Sequence, residues 1–496
     1  MARVTGVEAT DRRLRALPRP ALDHRAVGAL LWRHRALVAL LTGGVAIRLA
    51  ALVAIYPGTW FTDSNGYVET AATGRLLLAR VSGYSLFVAP FWHAGSAAAL
   101  IVAQHLLALA MVGLLYALLV RRGVPRWLAV LGVVPLALDA YEISIEHAIM
   151  SDTLFHACVV GTLVLLLWPQ RPHLGAVAAA GLLLGYAGLV RSVGAPFLAV
   201  FLLYLLLRRL GWRALVAFAV PWALVTAGYA AIFDAQNGRF ALNEWSARFL
   251  YARVEPLADC AKMSVPPAER FLCPKPGHRR TTQNALWGHS SPIHGVPHTD
   301  DAKIRDFATR VIRHRPLSYA RLIASDLAHY FEPGHRIGPN DYNPVPWEFP
   351  VHPERATFPG FRGPIRPAGS TGFGPIDPHL AGIYPNRYVS RMVSDPHVNP
   401  TVSRLLRRYQ RYVYTSGQIL AACLLVVVVA LLRRRGDPRL RLDGALPAAA
   451  ALVALLTAAA LSVFSYRYGL TAVVLLPPAA ALAGASLLSE HREHRD

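Results

Sequence analysis

The chain of 496 residues is 54% hydrophobic and only 16% charged, and its mean hydropathy of +0.35 is too high for a soluble enzyme of this size. A net charge of +22 would suit a nucleic-acid binder, but much of the basic excess lies in short loops beside apolar runs, which favours contact with anionic lipid instead. The composition therefore predicts an all-α polytopic membrane protein with no nucleic-acid partner.

Apolar segments of about membrane-crossing length recur along the chain, and they predict a bundle of about ten transmembrane helices. The shortest of these segments leave the span boundaries loose. The predicted spans are residues 36–56, 97–120, 127–140, 152–168, 174–190, 194–207, 214–233, 412–432, 445–464 and 470–488.

Arginines concentrate in alternate connections between these segments, so the positive-inside rule assigns those connections and both termini to the cytoplasm. The remaining connections then face the outside of a plasma membrane. The predicted organisation is a basic cytoplasmic tail (1–35), an N-terminal transmembrane core (36–233) with a first outside loop (57–96), an extracytoplasmic insert (234–411), C-terminal transmembrane helices (412–488) and a cytoplasmic tail (489–496).

The insert is rich in Pro, His and Arg and is too long for an ordinary loop, so it should carry structure of its own. Thr299-Asp300-Asp301 predicts a helix start with acids in the first turn, and a second helix is predicted over 317–331. That second helix fits the membrane surface and the insert's own core equally well. Residues 333–400 are dominated by Pro, Gly and aromatic residues, which predicts irregular, substrate-facing loops.

The four cysteines divide between the membrane and the insert. Cys158 and Cys423 lie in predicted spans and are expected to be packing residues. Cys260 and Cys273 lie in the insert, where an oxidising compartment favours a disulfide between them. A zinc site is less favoured because the insert has no matching second pair of ligands. A disulfide requires Cα atoms within ~7 Å of one another.

The first outside loop has a carboxylate, Asp63, a few residues beyond the first span, where a lipid-borne substrate meets water. Ser64-Asn65-Gly66 bends the backbone there, Tyr67 follows, and Gly83-Tyr84 is a second candidate docking element. Two interpretations stay open for this stretch. Asp63 is either a substrate-facing acid or the acceptor in an Asx turn that caps a short surface helix.

Several ionisable residues crowd a second outside segment, between residues 139 and 152. Ser151-Asp152 suits simple helix capping, with an acid at the positive end of the helix dipole. Capping does not explain the other ionisable groups at this membrane boundary, which are functional candidates by default. Their spacing defines no metal geometry, so a Mg²⁺ or Mn²⁺ site shared with Asp63 and a sugar-positioning role both stay open. The group comprises Asp139, Glu142, Glu146, His147 and Asp152.

Arginines on the predicted outside run against the positive-inside trend. Guanidinium groups suit bidentate phosphate binding, which is favoured for Arg191 and Arg467 because both lie at span ends. Lipid-headgroup anchoring is favoured for the cluster from Arg404 to Arg411. Arg48 lies inside the first span, where snorkelling to the interface and a substrate role are equally compatible with its position.

Taken together, the order of these motifs resembles the GT-C superfamily of membrane glycosyltransferases, and within it the protein mannosyltransferase and aminoarabinose transferase type. The resemblance covers the membrane half well and the insert poorly. Ser64 stands where these families usually have a second acid, which puts metal dependence in doubt. The motifs that carry the resemblance are Arg48, Asp63 and Tyr67, Ser82-Gly83-Tyr84-Ser85, Met150-Ser151-Asp152-Thr153-Leu154-Phe155, Arg467-Tyr468 and Leu476-Pro477-Pro478.

The resemblance implies transfer of a hexosyl or pentosyl group from a polyprenyl-phosphate donor to an extracytoplasmic acceptor of the cell envelope, a glycan, lipid or protein, usually with inversion. It implies Asp63 as the base or acceptor ligand, with Arg191 and Arg467 on the donor phosphate. The remaining implied substrate contacts are Arg48, Tyr67, Tyr84 and Tyr468, with Glu146, His147 and Asp152 in a supporting layer or a cation site.

Two other classes of function stay open. A flippase or transporter of lipid-linked sugars would also carry intramembrane charges, but inverted repeats and broken helices in matching halves are not visible in the sequence. An inactive envelope scaffold is the third class, and Ser64 in place of an acid is its best support. Abundant Ala, Leu, Arg and Gly are typical of a high-GC bacterium such as an actinobacterium, where such enzymes build the cell wall.

Overall fold

The computed structural model describes residues 24–275, 281–334, 341, 347–350, 388, 391–392, 397–433 and 436–493. The N-terminal half is helical from its first described residue, with two short helices inside the first predicted outside loop. Its elements are α1 (His24–Arg33), α2 (Arg35–Ala54), β1 (Ile55–Tyr56), α3 (Thr62–Thr73), α4 (Gly83–His93), α5 (Ala97–Arg121), α6 (Arg126–Leu138), α7 (Ala140–Glu146), α8 (Asp152–Leu167), α9 (Leu174–Val190), α10 (Phe197–Leu207) and α11 (Trp212–Asn237).

The insert follows α11 with shorter helices, and the chain then returns to long apolar ones. The elements from residue 246 onward are α12 (Ser246–Val254), α13 (Thr282–Trp287), α14 (Asp301–His314), α15 (Pro316–His329), β2 (His397–Val398), α16 (Pro400–Tyr412), α17 (Gly417–Arg433), α18 (Pro438–Leu461) and α19 (Tyr466–Glu493). Both helices predicted in the insert are present, and most of residues 333–400, predicted as loops, lies outside the described residues.

Within the described residues, five helices are long and apolar enough to cross a membrane, and up to seven spans result if each of two bent helix pairs counts as one. The bent pairs are α6 with α7 and α16 with α17. Each of the ten predicted segments contains a helix, but α8, α9 and α10 are shorter than a full crossing. The structure therefore supports a multi-pass membrane protein, while the count of ten spans stays a prediction.

Of the five membrane-length helices described above, α19 is the most enclosed, because 83% of the residues in its membrane-spanning stretch are buried inside the protein. Small and branched side chains, such as Ala472, Leu476 and Ala479, let α18, α17 and α6 approach it closely. Its N-terminus, which carries Arg467, is therefore held rigidly at one end of the bundle. At the other end, the buried Asp443 of α18 pairs with Arg122 and Arg208 and joins three helices.

The insert has a hydrophobic core of its own, in which Tyr251, Leu272, Phe307 and Val311 are fully buried. The predicted Cys260–Cys273 disulfide is present, with Cα atoms 6.1 Å apart. Helix α15 contacts α18, and the Tyr319 hydroxyl donates to the Ala460 carbonyl oxygen at 3.0 Å. The second insert helix therefore lies against the C-terminal end of α18.

A two-stranded antiparallel pairing links the end of α2 to the segment before α16, with Ile55 opposite Val398 and Tyr56 opposite His397. The next residues of the loop are tied to the end of α7, since the Thr59 amide donates to the His147 carbonyl oxygen at 2.8 Å. The first outside loop therefore returns over the membrane boundary and presents α3 to the starts of α8 and α19.

Candidate active site

Two carboxylates and three guanidinium groups from four separate parts of the chain meet at this boundary. Arg467 Nη2 lies 2.9 Å from Asp152 Oδ2, and Arg467 Nη1 donates to Asp63 Oδ2 at 3.2 Å. Arg191 forms a second ion pair with Asp152, and Arg80 forms a second ion pair with Asp63. Arg191 and Arg467 therefore meet at one site, with Asp152 as their shared partner, and their assignment to a phosphate stays a prediction. We call these five residues the arginine–aspartate cluster.

Secondary structure places four of the five members of the cluster at the end of a helix, and Arg80 lies in the loop between α3 and α4. Asp63 and Asp152 lie in the first turns of α3 and α8, where the helix dipole favours a negative charge. Arg191 immediately follows α9, and Arg467 is the second residue of α19. A cation is disfavoured at a helix N-terminus, so the two carboxylates that contact Arg467 offset an unfavourable position.

The capping interpretation of Ser151-Asp152 is only partly right. The Ser151 side chain makes no capping hydrogen bond and lies instead 3.2 Å from the Tyr67 hydroxyl. Asp152 is fully buried, and its carboxylate is occupied by Arg467 and Arg191. Its main interaction is therefore with the cluster rather than with the amides of its own helix.

Electrostatics keep the Asp63 carboxylate ionised. Burial opposes the charged form and alone would raise its pKa, but the neighbouring Arg80 and Arg467 outweigh burial and hold the pKa below the ordinary value of 3.8. Burial likewise disfavours the charged form of Arg80, and the Asp63 carboxylate outweighs it, so the pKa of Arg80 is raised. Asp63 and Arg80 are therefore both charged at neutral pH.

Aromatic rings enclose the cluster. Trp347 lies 5.3 Å from the Arg467 guanidinium carbon and packs on Phe61. The Tyr468 ring lies 5.9 Å from the Arg191 guanidinium carbon, as expected of a residue beside the predicted phosphate site. Tyr67 packs edge-on against Tyr84, with ring centroids 4.9 Å apart. These rings exclude water from the charges and strengthen their interactions.

Three other predicted site residues form a separate buried network. Arg48 donates to both carboxylate oxygens of Glu146, from Nε at 2.7 Å and from Nη2 at 2.6 Å. His105 bridges Glu146 Oε2 at 3.0 Å and His147 Nδ1 at 3.1 Å, and His147 Nε2 lies 2.8 Å from the Ile55 carbonyl oxygen. Arg48 therefore pairs with an acid inside the bundle instead of snorkelling, and this network fixes α2, α5 and α7 relative to one another.

The acids between residues 139 and 152, considered above for a cation site shared with Asp63, have different partners in the structure. Asp152 meets Asp63 through Arg467, whereas Glu146 pairs with Arg48. Glu142 lies 3.0 Å from His156, and Asp139 caps α7 by accepting from the amides of Tyr141 and Glu142. Of these acids, Asp152 alone is linked to Asp63, through Arg467.

The residues proposed for a cation do not form a ligand set. Among the described residues, no group of three or more His, Cys, Asp or Glu side chains lies close enough to hold a metal ion. Ser64, in the position of the missing second acid, donates to the Ile149 carbonyl oxygen at 2.8 Å and accepts from the Phe61 amide at 3.0 Å. Ser64 therefore ties α3 to the segment before α8.

Arg80 and Trp347 are members of the site that the sequence analysis did not identify. Arg80 lies in the predicted first outside loop. An arginine there runs against the positive-inside trend, and this signal, which identified Arg191, could also have identified Arg80. Trp347 lies in a stretch rich in Pro and aromatic residues, where nothing in the sequence distinguishes it. Its position is decided by contacts with Phe61 and Arg467, which are remote in the chain.

No family model matches this chain, and no curated protein matches it. Two solved structures are similar to parts of it. The protein O-mannosyltransferase complex of S. cerevisiae bound to the sugar donor is 16% identical, with a TM-score of 0.34, over 44% of this chain and 36% of that chain. ArnT from Cupriavidus metallidurans in the apo state is 12% identical, with a TM-score of 0.36, over 93% of this chain and 78% of that chain. At such values these similarities carry no weight for the reaction, which is inferred from the site itself.

Proposed function

We propose that this protein is a membrane glycosyltransferase that moves a sugar from a polyprenyl-phosphate donor to an extracytoplasmic acceptor of the cell envelope, with inversion at the anomeric carbon. The observation that carries the proposal is the arginine–aspartate cluster. It combines an anion-binding group and a carboxylate base at one point of the membrane boundary, next to the end of α2.

The charge of the cluster suits this donor. Three guanidinium groups and two carboxylates leave one net positive charge, and a sugar phosphodiester carries one negative charge, so the occupied site is neutral. After transfer the lipid phosphate carries up to two negative charges, and the proton taken from the acceptor neutralises Asp63. The site is then neutral again. A buried site that stays neutral through the reaction avoids the large cost of burying an unpaired charge.

In the proposed reaction the acceptor hydroxyl loses its proton to Asp63, and its oxygen attacks the anomeric carbon. The bond from that carbon to the phosphate oxygen breaks, and the electron pair stays on the phosphate. Arg191 and Arg467 stabilise the charge that develops there, and Arg80 joins them once it leaves Asp63. Asp152 holds the first two arginines in position. Tyr468 lies beside Arg191, and Tyr84, which is fully buried and donates to Gln104 Oε1 at 2.6 Å, supports Tyr67 from behind.

Donor binding should also activate the base. In the unoccupied protein Asp63 is a weak base, because Arg80 and Arg467 lower its pKa. A bound phosphate draws the two guanidinium groups toward itself and adds a negative charge, and both effects raise the pKa of Asp63. The carboxylate thus gains basicity when the sugar is in place. The Arg48–Glu146–His105–His147 network is assigned a positioning role, since it fixes the loop that carries α3.

The experiment is transfer of a radiolabelled sugar from its polyprenyl phosphate in liposomes that contain the purified protein, with cell-envelope extract as the source of acceptor. Appearance of the label in the acceptor would support a glycosyltransferase. Movement of the intact donor across the bilayer without transfer would instead identify a carrier. If neither transfer nor movement is observed, the scaffold interpretation is the one that remains. Access of the donor from the outer leaflet alone would support the proposed orientation in the plasma membrane.

A further inference from the structure

A second set of buried polar side chains joins α7, α8 and α19 one helical turn further into the bundle than the arginine–aspartate cluster. His156 lies four residues after Asp152 on α8, and Thr471 lies four residues after Arg467 on α19. The Nε2 atom of His156 lies 3.2 Å from Thr471 Oγ1, and its Nδ1 atom lies 3.0 Å from Glu142 Oε1 on α7. We call Glu142, His156 and Thr471 the polar layer.

The polar layer lies in the interior of the bundle. Glu142 is fully buried, and His156 and Thr471 are nearly so. The second carboxylate oxygen of Glu142, Oε2, has no hydrogen-bond partner among the described residues. Burial of such groups costs free energy, and apolar side chains of similar size would pack in the same place without that cost. Stability alone therefore does not account for the polar layer.

Two contacts between α8 and α19 fix more than one contact does. The Asp152–Arg467 contact comes first on both helices, and the second contact follows about 6 Å further along each of them. The long side chain of Arg467 can follow Asp152 through a shift of α19 along its axis. The short, branched side chain of Thr471 cannot follow His156 in this way, so the second contact sets the axial position of α19.

The other end of the polar layer is linked to the helix that carries the proposed base. Glu142 ties α8 to α7, and the short segment between these two helices holds α3. Within that segment the Ile149 carbonyl oxygen accepts from the Ser64 hydroxyl at 2.8 Å, and Ser64 directly follows Asp63. His156 is therefore the point at which the links to α3 and to α19 meet.

We infer that His156 is a positioning residue for the transfer reaction and that it sets the separation between the Asp63 carboxylate and the Arg467 guanidinium. This inference rests on the proposed function. The separation must match the span between the acceptor hydroxyl and the donor phosphate in the transition state, and a misplacement of about 1 Å lowers a rate by up to about 100-fold. Donor binding depends less on the separation, because a flexible arginine follows the phosphate.

The test measures kcat and the donor dissociation constant of the full-length protein in nanodiscs, with the labelled polyprenyl-phosphate sugar as the probe. Thr471→Val removes the hydroxyl but keeps the shape of the side chain, so kcat should fall about 10- to 100-fold while donor affinity changes by less than about threefold. Thr471→Ser keeps the hydroxyl and should retain most of kcat. Thr162→Val is the matched control, because Thr162 is fully buried on α8 and its hydroxyl donates to the Cys158 carbonyl oxygen of the same helix.

A double-mutant cycle shows whether the effect passes through the contact itself. In His156→Asn the shorter amide reaches the position of Nδ1 but not that of Nε2, so the variant keeps a partner for Glu142 and loses Thr471. His156→Asn combined with Thr471→Val should lower kcat little further than either change alone, as expected for two groups that act through one contact. The melting temperature in detergent checks that each variant is folded.

The inference is overturned if Thr471→Val transfers sugar at the wild-type rate. It is also overturned if Thr162→Val loses as much activity, which would show a general sensitivity of the core to lost hydroxyl groups. A loss of donor affinity as large as the loss of kcat would show an effect on phosphate binding alone, and would likewise contradict it. Absence of transfer by the wild-type protein would remove the proposed function and the inference with it, and that failure is distinguishable because it is seen without any variant.

Discussion

Replacement of Asp63 by asparagine separates the two roles assigned to the cluster. The amide keeps the size of the side chain but cannot accept the acceptor's proton, so we expect kcat to fall at least ~100-fold, the usual scale for loss of a general base. The same change releases Arg80 and Arg467 from their carboxylate partner. Donor binding should therefore stay unchanged or tighten by up to about tenfold, the equivalent of one charge-assisted hydrogen bond.

The pH dependence gives a second, independent readout. The profile of kcat/KM reports the free enzyme, in which the pKa of Asp63 lies below 3.8, and the profile of kcat reports the donor complex, in which we expect that pKa to be higher. Activity requires the deprotonated carboxylate and is lost as the pH falls through the relevant pKa. The acid limb of kcat should therefore lie at higher pH than that of kcat/KM, and both limbs should vanish in Asp63→Asn.

Labelled-sugar transfer and donor binding to purified protein in nanodiscs are the assays. Asp234→Asn is the control, because it removes an exposed carboxylate at the end of α11, outside the cluster. It should leave both quantities unchanged. Near-normal transfer by Asp63→Asn would refute the assignment of Asp63 as the base. A large loss of donor binding in that variant would refute the proposal that Asp63 and the donor phosphate compete for Arg80 and Arg467.

Arg80→Gln should weaken donor binding by about 10-fold or more, as expected for loss of a charged hydrogen-bond partner, and an unchanged donor dissociation constant would remove Arg80 from the phosphate site. Arg48→Ala leaves the buried Glu146 carboxylate with His105 but without its arginine, which should cost about 3–5 kcal/mol of folding free energy. The melting temperature in detergent measures this loss, with Arg48→Lys as the comparison. Cys260→Ser should lower the stability of the insert by roughly 3 kcal/mol, the scale for a disulfide closing a short loop. Cleavage of the insert by trypsin should then accelerate in Cys260→Ser, as in Cys273→Ser, and unaltered proteolysis would contradict the expected contribution of the disulfide.

Much of the architecture could be predicted from local sequence patterns, because these patterns depend only on residues that are close together in the chain. Runs of apolar residues identified the helices of the bundle, since a segment that crosses lipid must satisfy its own backbone hydrogen bonds. Breaches of the positive-inside trend identified Arg191 and Arg467. Compartment and spacing identified the Cys260–Cys273 disulfide, because two outside cysteines close in sequence have few other partners.

Only the tertiary structure decided which charge pairs with which. Residues 146–152 present Glu146 and Asp152 together in the sequence, yet Glu146 turns into the bundle toward Arg48, while Asp152 turns toward Arg467, 315 residues later. Arg80 and Trp347 likewise acquire their roles from contacts with Asp63, Phe61 and Arg467. Pairing in the low-dielectric interior depends on distances of a few ångströms, and these are set by the packing of α19, α8 and α2, which no local pattern encodes.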